Sequence, residues 1–396
     1  MNEWRKIENN IEQLNNICLN ITDGTHASPK KQSFGKPLIT SKHLKNGKIL
    51  VEEANLISEQ DFKKINERSK VNQWDVLISM IGTVGELAIV KEEPKFAIKN
   101  IGLFNIGNEF VAKWVYYYFS SAKGKNEIFT KIGGSTQQYI TLSELRNLKI
   151  YFPAQKIREK IIKILSDIDE KIELNTKIND NLEKQAQLIF NNYFFNKNKD
   201  YTNYISSNLL EIADFLNGLA MQKHAPDNFD KKSLPVLKIK ELNQGFTDNS
   251  SDRCSSKIKS EYIIKDGDII FSWSGTLLIK IWCGNKCGLN QHLFKVTSKK
   301  YDKWFYFLWT NYHLKNFISI AKDKATTMGH IKRTDLEKSF VFIPPEKEYK
   351  KLNKILTPIF ENIISNKIEN NYLANLKNYL LPKLMNGEID VEKIEL

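Results

Sequence analysis

Four residues in the second half of the chain are of types that bind metal ions: Cys254, Cys283, Cys287 and His292. Cysteine sulfur and histidine nitrogen are common zinc ligands. The Cys-x3-Cys spacing with one histidine is loose, however, and the first half offers no counterpart beyond Cys18. Four unevenly placed cysteines are also too few for a disulfide framework. The sequence therefore favours reduced, structural cysteines and predicts no metal site, with zinc binding as the alternative.

Sequence motifs of catalysis are missing. The chain contains no G-x-x-x-x-G-K-[ST] loop, no H-E-x-x-H motif and no G-x-G-x-x-G after a predicted strand. It also contains no Asn/Asp-Pro-Pro-aromatic tetrapeptide of the amino-methyltransferase type, and no set of Ser, His and Asp stands out. We therefore predict no catalytic residue and expect a chain that recognises rather than catalyses. An active site built from scattered residues is the alternative.

The charge balance indicates the kind of partner. The 396 residues include 59 Lys and Arg against 46 Asp and Glu, a net charge of +13. Such an excess favours a polyanion, with nucleic acid first, although a merely solvated surface would give the same balance. No apolar run approaches the ~18 residues of a membrane span, and the first residues carry no apolar signal segment. We expect a cytoplasmic protein without membrane contact.

The chain contains one internal repeat. Residues 133–175 return as residues 324–366, so that Thr136 corresponds to Thr327 and Pro153 to Pro344. Upstream, KPLITSKHLKNG matches LPVLKIKELNQG, and WDVLISMIGTVG matches GDIIFSWSGTLL. A repeat of this length indicates one structural unit that is used twice.

Each half has the same predicted order of elements. Runs such as VLISMIG and DIIFSWSG are typical of strands, and FVAKWVYYYFSSA and KWFYFLWTNYHLKNF are typical of buried helices. A polar loop (GGSTQQY or ATTMGH), a short helix and a strand that ends at a proline follow. Each half then closes with a long helix. The fold class is therefore α+β.

The two long helices are predicted to pair with each other. Apolar residues alternate spacings of three and four, which is the seam of a coiled coil. Two asparagines interrupt each seam, Asn175 and Asn179 in one helix and Asn366 and Asn370 in the other. A buried amide needs a partner, so in an antiparallel pair Asn175 lies opposite Asn370, and Asn179 opposite Asn366. Pro358 is expected to kink the second helix or to delay its start.

Three segments together resemble the specificity (S) subunit of Type I restriction-modification enzymes: DGTHASP at 23–29, GSTQQYITLSEL at 134–145 and LLPKLMNGEID at 380–390. The resemblance covers essentially the whole chain. The second half departs from the pattern, because MQKHAPDNF (221–229) stands where a DGTH-like loop is expected and ATTMG (325–329) replaces the GSTQ-like loop.

The resemblance implies two target-recognition domains, 1–153 and 198–344, and two long antiparallel helical spacers, 154–197 and 345–396 with the tail, in a pseudo-twofold repeat. Each domain would read one part of a split, asymmetric site in double-stranded DNA. Two methyltransferase subunits would dock on the helices and bring S-adenosylmethionine, and a motor-nuclease subunit that uses ATP with Mg could join them. This chain would be non-catalytic and carry no cofactor.

Candidate DNA contacts follow from side-chain chemistry. Glutamine amides suit bidentate reading of adenine, lysines meet phosphates, and a tyrosine or histidine can stack or hydrogen-bond. The predicted contacts in the first half are Thr25, His26, Lys30, Lys31, Lys42, Thr136, Gln137, Gln138 and Tyr139. Those in the second half are Lys223, His224, Lys240, Thr327 and His330.

Two other functions remain open at this point. A pair of globular heads on a coiled coil also fits a protein-interaction scaffold, although the basic excess argues against it. A self-contained DNA-modifying enzyme with an unrecognised site is the other alternative.

Overall fold

The computed structural model describes residues 10–196, 200–226, 232–323 and 329–394. They form two compact units: unit 1, drawn from Met1–Glu170 and Asn375–Leu396, and unit 2, drawn from Lys171–Ala374. Each unit therefore holds one β-rich region together with parts of both long helices. Across the described residues, no helix combines the length and apolar character that crossing a membrane would require.

Unit 1 is built around a four-stranded antiparallel sheet in the order β2-β10-β7-β8. The strands are β1 (Ile11–Gln13), β2 (Asn20–Asp23), β3 (Lys36–Ile39), β4 (Leu44–Lys45), β5 (Lys48–Ile49), β6 (Asn55–Ile57), β7 (Val76–Ser79), β8 (Leu87–Ile89), β9 (Ala97–Ile98), β10 (Ile101–Asn105) and β11 (Lys149–Tyr151). A second sheet has the order β6-β3-β9, with β3 and β9 parallel, and β1 pairs with β11 and β4 with β5.

The helices of unit 1 are α1 (Leu14–Ile17), α2 (Glu59–Ser69), α3 (Glu109–Ser120), α4 (Ala122–Phe129) and α5 (Leu142–Arg146). The side chains of Ser58, Asn108 and Thr141 each accept a hydrogen bond from the third residue after them, at the starts of α2, α3 and α5. The predicted aromatic helix α3 buries Trp114 completely, so its aromatic residues serve the core.

Unit 2 repeats the central sheet and the parallel strand pair of unit 1, which confirms the internal repeat. Its strands are β12 (Ile205–Asn208), β13 (Asp214–Asn217), β14 (Leu234–Leu237), β15 (Arg253–Cys254), β16 (Ile263–Ile264), β17 (Ile269–Ser272), β18 (Leu278–Ile281), β19 (Cys287–Leu289), β20 (Leu293–Thr297) and β21 (Phe340–Ile343). The sheet β13-β20-β17-β18 corresponds to β2-β10-β7-β8, and the parallel pair β14 and β19 corresponds to β3 and β9.

The helices of unit 2 are α7 (Leu209–Ile212), α8 (Ile239–Gln244), α9 (Lys303–Asp323) and α10 (Arg333–Glu337). The aromatic helix α9 and the short helix α10 match the two helical segments that the sequence predicts for this half. Phe190 and Phe194 pack in the same core as Trp309, at ring distances of 5.1 Å each. A long helix is therefore part of the hydrophobic core of this unit.

The two long helices are α6 (Gln155–Phe194) and α11 (Glu346–Met385), each of 40 residues. Their first residues follow the predicted prolines Pro153 and Pro344. Of the two effects expected of Pro358, a kink or a late start, the late start is wrong, because α11 begins at Glu346 and continues through Pro358. Burial of its neighbours Leu356 and Phe360 in the core offsets the backbone hydrogen bond that a proline cannot donate.

The helices run antiparallel. In unit 2, Asn175 Nδ2 donates to Asn370 Oδ1 and Asn366 Nδ2 donates to Asn179 Oδ1, each at 3.0 Å. These are the partners that the antiparallel arrangement predicts. Asn175 also donates to Glu369 Oε2 at 2.6 Å. In unit 1, the ammonium of Lys377 donates to both carboxylate oxygens of Asp169, at 2.6 and 2.7 Å.

Candidate nucleic-acid interface

Strand order brings two candidate loops of unit 1 to one edge of the central sheet. β2 and β7 are both antiparallel to β10, so their carboxyl ends point the same way. Asp23, Gly102 and Ile78 are register partners in one row across the three strands. The DGTH loop that follows Asp23 and the turn that follows Ser79 therefore leave the sheet at the same edge, about two strand spacings or ~10 Å apart.

The backbone of the DGTH loop is held against the sheet. Gly24 N donates to Ile101 O at 2.9 Å, and Thr25 N donates to Ile98 O at 3.1 Å. A Cβ atom on Gly24 would lie 2.4 Å from Ile98 O, so only glycine fits there. The Thr25 hydroxyl accepts a hydrogen bond from Ala27 N at 3.1 Å, which shapes the loop rather than leaving the hydroxyl oxygen fully available.

A buried carboxylate orients His26. Asp23 is only 4% exposed, and its two oxygens meet His26 Nε2, at 2.9 Å, and the guanidinium of Arg68. The other ring nitrogen of His26 lies 2.9 Å from Asn100 Oδ1. The side chain of His26 is still 64% exposed. The imidazole is thus fixed at both nitrogens and presents its open surface at the sheet edge.

The GSTQQY loop is closed at its base and exposed at its tip. Gly133 and Tyr139 exchange two backbone hydrogen bonds, at 2.9 and 3.0 Å, and Gly82 N donates to Gln138 O at 3.0 Å. Gly134 has φ of 90°, and a Cβ there would lie 2.2 Å from Gln137 O. The loop therefore stands on the turn after β7 with a fixed backbone.

The side chains at this tip are the polar ones that the sequence predicts. Thr136, Gln137, Gln138 and Tyr139 are all exposed. The Tyr139 ring packs over the backbone of Gly134, where an added Cβ would lie 3.0 Å from the ring edge. The amides can reach outward while the tyrosine ring covers the loop base.

Three exposed lysines border this edge of unit 1 to different degrees. Lys30 and Lys31 follow the DGTH loop directly and are exposed. Lys42 is exposed in a short turn, Ser41–His43, whose Ser41 hydroxyl donates to Asn100 O at 3.4 Å. The structure therefore brings Lys42 near the residue that contacts His26.

Unit 2 forms an equivalent edge. β13 and β17 are both antiparallel to β20, and Asn217, Phe294 and Phe271 are register partners in one row. Gly218 N donates to Leu293 O at 3.0 Å, and Leu219 N donates to Leu289 O at 2.9 Å, the bonds that Gly24 and Thr25 make in unit 1. The segment Asn-Gly-Leu-Ala at 217–220 is therefore the structural counterpart of DGTH.

The expectation that MQKHAPDNF (221–229) stands at the position of the DGTH loop is wrong, because residues 217–220 occupy that position. Residues 217–220 keep the backbone hydrogen bonds of the DGTH loop, whereas they lack its threonine and histidine. Lys223 and His224 lie in the next turn, Met221–His224. Lys223 is exposed and His224 is half-buried. Residues 227–229 of the segment lie outside the described residues.

His330 takes the place of Tyr139. It forms a bridge with Ser274, as Tyr139 does with Ile81, and Ile331 N donates to Trp273 O at 2.9 Å. Thr327 lies outside the described residues. Lys240 is exposed in α8, and its ammonium donates to the Ser250 hydroxyl at 2.8 Å.

An aromatic depression of about 660 Å³ at this edge was not predicted from the sequence. Trp273 follows β17 directly and donates its Nε1 hydrogen to Asn217 Oδ1 at 2.9 Å. The rings of Trp273 and Phe294 lie 5.7 Å apart. The depression is lined by Phe215, Leu216, Asn217, Tyr262, Trp273, Phe294, His330, Ile331, Lys332 and Arg333.

The cysteines considered for zinc are buried among apolar residues. Cys283, Cys287 and Cys254 belong to three different hydrophobic cores, and each is buried and free of disulfides. Burial raises the pKa of the Cys287 thiol well above its usual value. No group of three or more His, Cys, Asp or Glu side chains with metal-site geometry occurs in the described part of the chain.

Comparisons with known proteins place these features in context. The family model described as "Type I restriction modification DNA specificity domain" matches residues 13–184 and 198–375. The Type I restriction enzyme MjaIX specificity subunit of Methanocaldococcus jannaschii is 28% identical over 345 residues, 81% of this chain and 78% of the relative. The HindI specificity subunit of Haemophilus influenzae is 22% identical over 326 residues, 63% of this chain and 71% of the relative.

A solved structure has a similar fold. The S subunit of a Type I restriction-modification system from M. genitalium matches with a TM-score of 0.55 at 15% identity, over 94% of this chain and 95% of that one.

Proposed function

The chain belongs to the family of Type I restriction modification DNA specificity proteins, and from this premise we propose that each of its two units reads one half of a two-part, asymmetric DNA site. The chain is a sequence-specific recognition subunit and not itself a catalyst. The observation that carries the proposal is that the family model matches twice, once on each copy of the internal repeat. Two copies with different edge residues suit a site with two different halves.

We assign base reading to the sheet edges. In unit 1, Gln137 and Gln138 project from a fixed loop, and a glutamine amide can bond both N6 and N7 of adenine. Tyr139 and Thr136 belong to the same loop, and the oriented ring of His26 and the hydroxyl of Thr25 lie at the same sheet edge. In unit 2, His330 takes the equivalent place. Exposed side chains such as Lys30, Lys31, Lys42, Lys223 and Lys240 supply charge for phosphates, together with His224.

Partner subunits would supply the chemistry. Two methyltransferase subunits docked on α6 and α11 would bring S-adenosylmethionine and transfer a methyl group to adenine N6. A motor-nuclease subunit that uses ATP with Mg would add cleavage. Support comes from family membership and from the absence of catalytic motifs in the sequence.

Methylation mapping tests the proposal. The chain is produced with its methyltransferase subunits in a host without other adenine methylation, and modified adenines are located across the genome. We expect one two-part motif with a constant spacer. Cells with the methyltransferase subunits alone are the control. Methylation that lacks sequence preference, or that persists without this chain, would refute the proposed function.

A further inference from the structure

Trp273 gives the recognition edge of unit 2 a chemistry that differs from that of unit 1. In unit 1 the residue after the equivalent strand is Met80, which is buried, and the position of Asn217 is taken by the charged Asp23. Trp273 instead is only half-buried and lines the depression. The sheet is the same, so the difference lies in what the edge presents to a ligand.

The indole has no hydrogen-bonding group left for a ligand. Its single donor, Nε1, is given to Asn217 Oδ1 at 2.9 Å. The ring of Phe294 supports it at 5.7 Å with an interplanar angle of 31°, and the His330 ring meets it edge-on at 6.3 Å. The surface that Trp273 offers is therefore apolar and held in one orientation.

The rim of the depression is cationic. Lys332 and Arg333 are exposed there beside His330, and among the described residues that line the depression none is acidic. An apolar wall with positive charge beside it is complementary to a base edge flanked by phosphates. A volume of about 660 Å³ is ample for such an edge.

We propose that Trp273 is a specificity-determining residue that contacts the 5-methyl group of a thymine in the half-site of unit 2. This inference rests on the proposed function, in which the sheet edge of unit 2 reads DNA bases. Thymine follows by exclusion among the base edges of the major groove. Guanine, cytosine and adenine present donors and acceptors there, whereas thymine adds a protruding methyl group. An indole whose N–H is already used can recognise only the methyl group.

The test removes the methyl group from the DNA and the indole from the protein. Once mapping has defined the site, duplexes are made in which each thymine is replaced in turn by deoxyuridine, which deletes only the methyl group. The dissociation constant of the assembled complex is measured by fluorescence anisotropy. For the wild type we expect one thymine in the half-site of unit 2 whose replacement weakens binding about fourfold, the value of one buried methyl group.

The variant Trp273→Ala should bind the thymine and uracil duplexes equally at that position. Two controls separate recognition from folding: deoxyuridine in the half-site of unit 1 should have the same effect in the variant and the wild type, and Trp273→Phe should retain part of the discrimination. The comparison of thymine and uracil duplexes with the wild-type complex tests the inference even if a variant does not fold.

Two results would overturn the inference: a wild-type complex that tolerates uracil at every thymine of that half-site, or a Trp273→Ala complex that still distinguishes thymine from uracil. Failure of the proposed function would look different, since the wild-type complex would then show no sequence preference at all, and both proposals would fall.

Discussion

The two glutamines of unit 1 project from a loop whose base is closed by the paired backbones of Gly133 and Tyr139. A reader needs this arrangement, because a side chain on a fixed backbone loses less freedom when it binds. Lys30, in contrast, is exposed and follows the DGTH loop rather than standing in a loop with a closed base. Mutations at the two kinds of position should therefore have different signatures.

We predict that Gln137→Ala weakens binding of the cognate site by about 1–3 kcal/mol and relaxes one base position. Lys30→Ala should weaken all sequences alike and reduce the salt slope by about one, because it removes a phosphate contact. Competition binding against single-base variants at several salt concentrations separates the two. An unchanged base preference in Gln137→Ala would show that this residue is not a reader.

The cysteines allow a second prediction at this scale. Burial raises the pKa of the Cys18 thiol to about 12, with the nearby carboxylate of Asp75 acting in the same direction. The thiolate is the reactive form, so native Cys18 should be inert at pH 8. We expect mass spectrometry to find none of the four cysteines alkylated by iodoacetamide in the native protein, and all four alkylated in guanidinium. Native alkylation of Cys18 at the rate of a free thiol would contradict its burial.

The asparagines show how one helix recognises another. Asn175 and Asn179 are buried in unit 2, at 1% and 5% exposure, and their amides bond Asn370 and Asn366. Asn370 Nδ2 in turn lies 3.3 Å from Ile172 O. A slip of one helix turn would leave one asparagine of each helix opposite an apolar seam residue, so the cluster favours one register.

A double-mutant cycle tests this pairing. Asn175→Leu should lower the free energy of unfolding by about 1–3 kcal/mol, because Asn370 loses a partner in a half-buried place. Adding Asn370→Leu should recover part of that loss, with a coupling of about 0.5–3 kcal/mol. Asn181→Leu on the exposed face of α6 is the matched control and should change stability by no more than about 0.5 kcal/mol. Additive effects of the two changes would show that the amides do not act as a pair.

Sequence reasoning succeeded for elements whose signal is local. The seam of α6, the short helix α5 and the loop before it all follow from periodicity, caps and glycines near in sequence. It failed where the signal is distant. Trp273 and Asn217 are 56 residues apart in the chain, and only the strand order brings them together. Counterparts such as 217–220 are also hidden, because their shared feature is a set of backbone hydrogen bonds, which leaves side-chain identity free.

At the scale of the whole molecule, duplication gives two recognition units that share one fold and differ in the side chains at their sheet edges. The edge of unit 1 is polar, with a buried aspartate that orients His26, whereas that of unit 2 is aromatic around Trp273. The net charge of +13 favours DNA binding by both units, whatever the DNA sequence. Specificity should therefore divide between the units while affinity is shared.

Exchange of one reader tests this division. We predict that replacing residues 1–151 with the corresponding domain of another specificity subunit changes one half of the methylated motif and leaves the other half unchanged. The cut lies just before α6, which begins at Gln155. Because Ile161, Leu165 and Leu384 belong to the core of unit 1, the incoming domain must offer an apolar surface that accepts them. Thermal melting of the chimaera checks that it does, and methylation mapping reads the outcome. A change in both halves of the motif from a folded chimaera would mean that the two units do not read DNA independently.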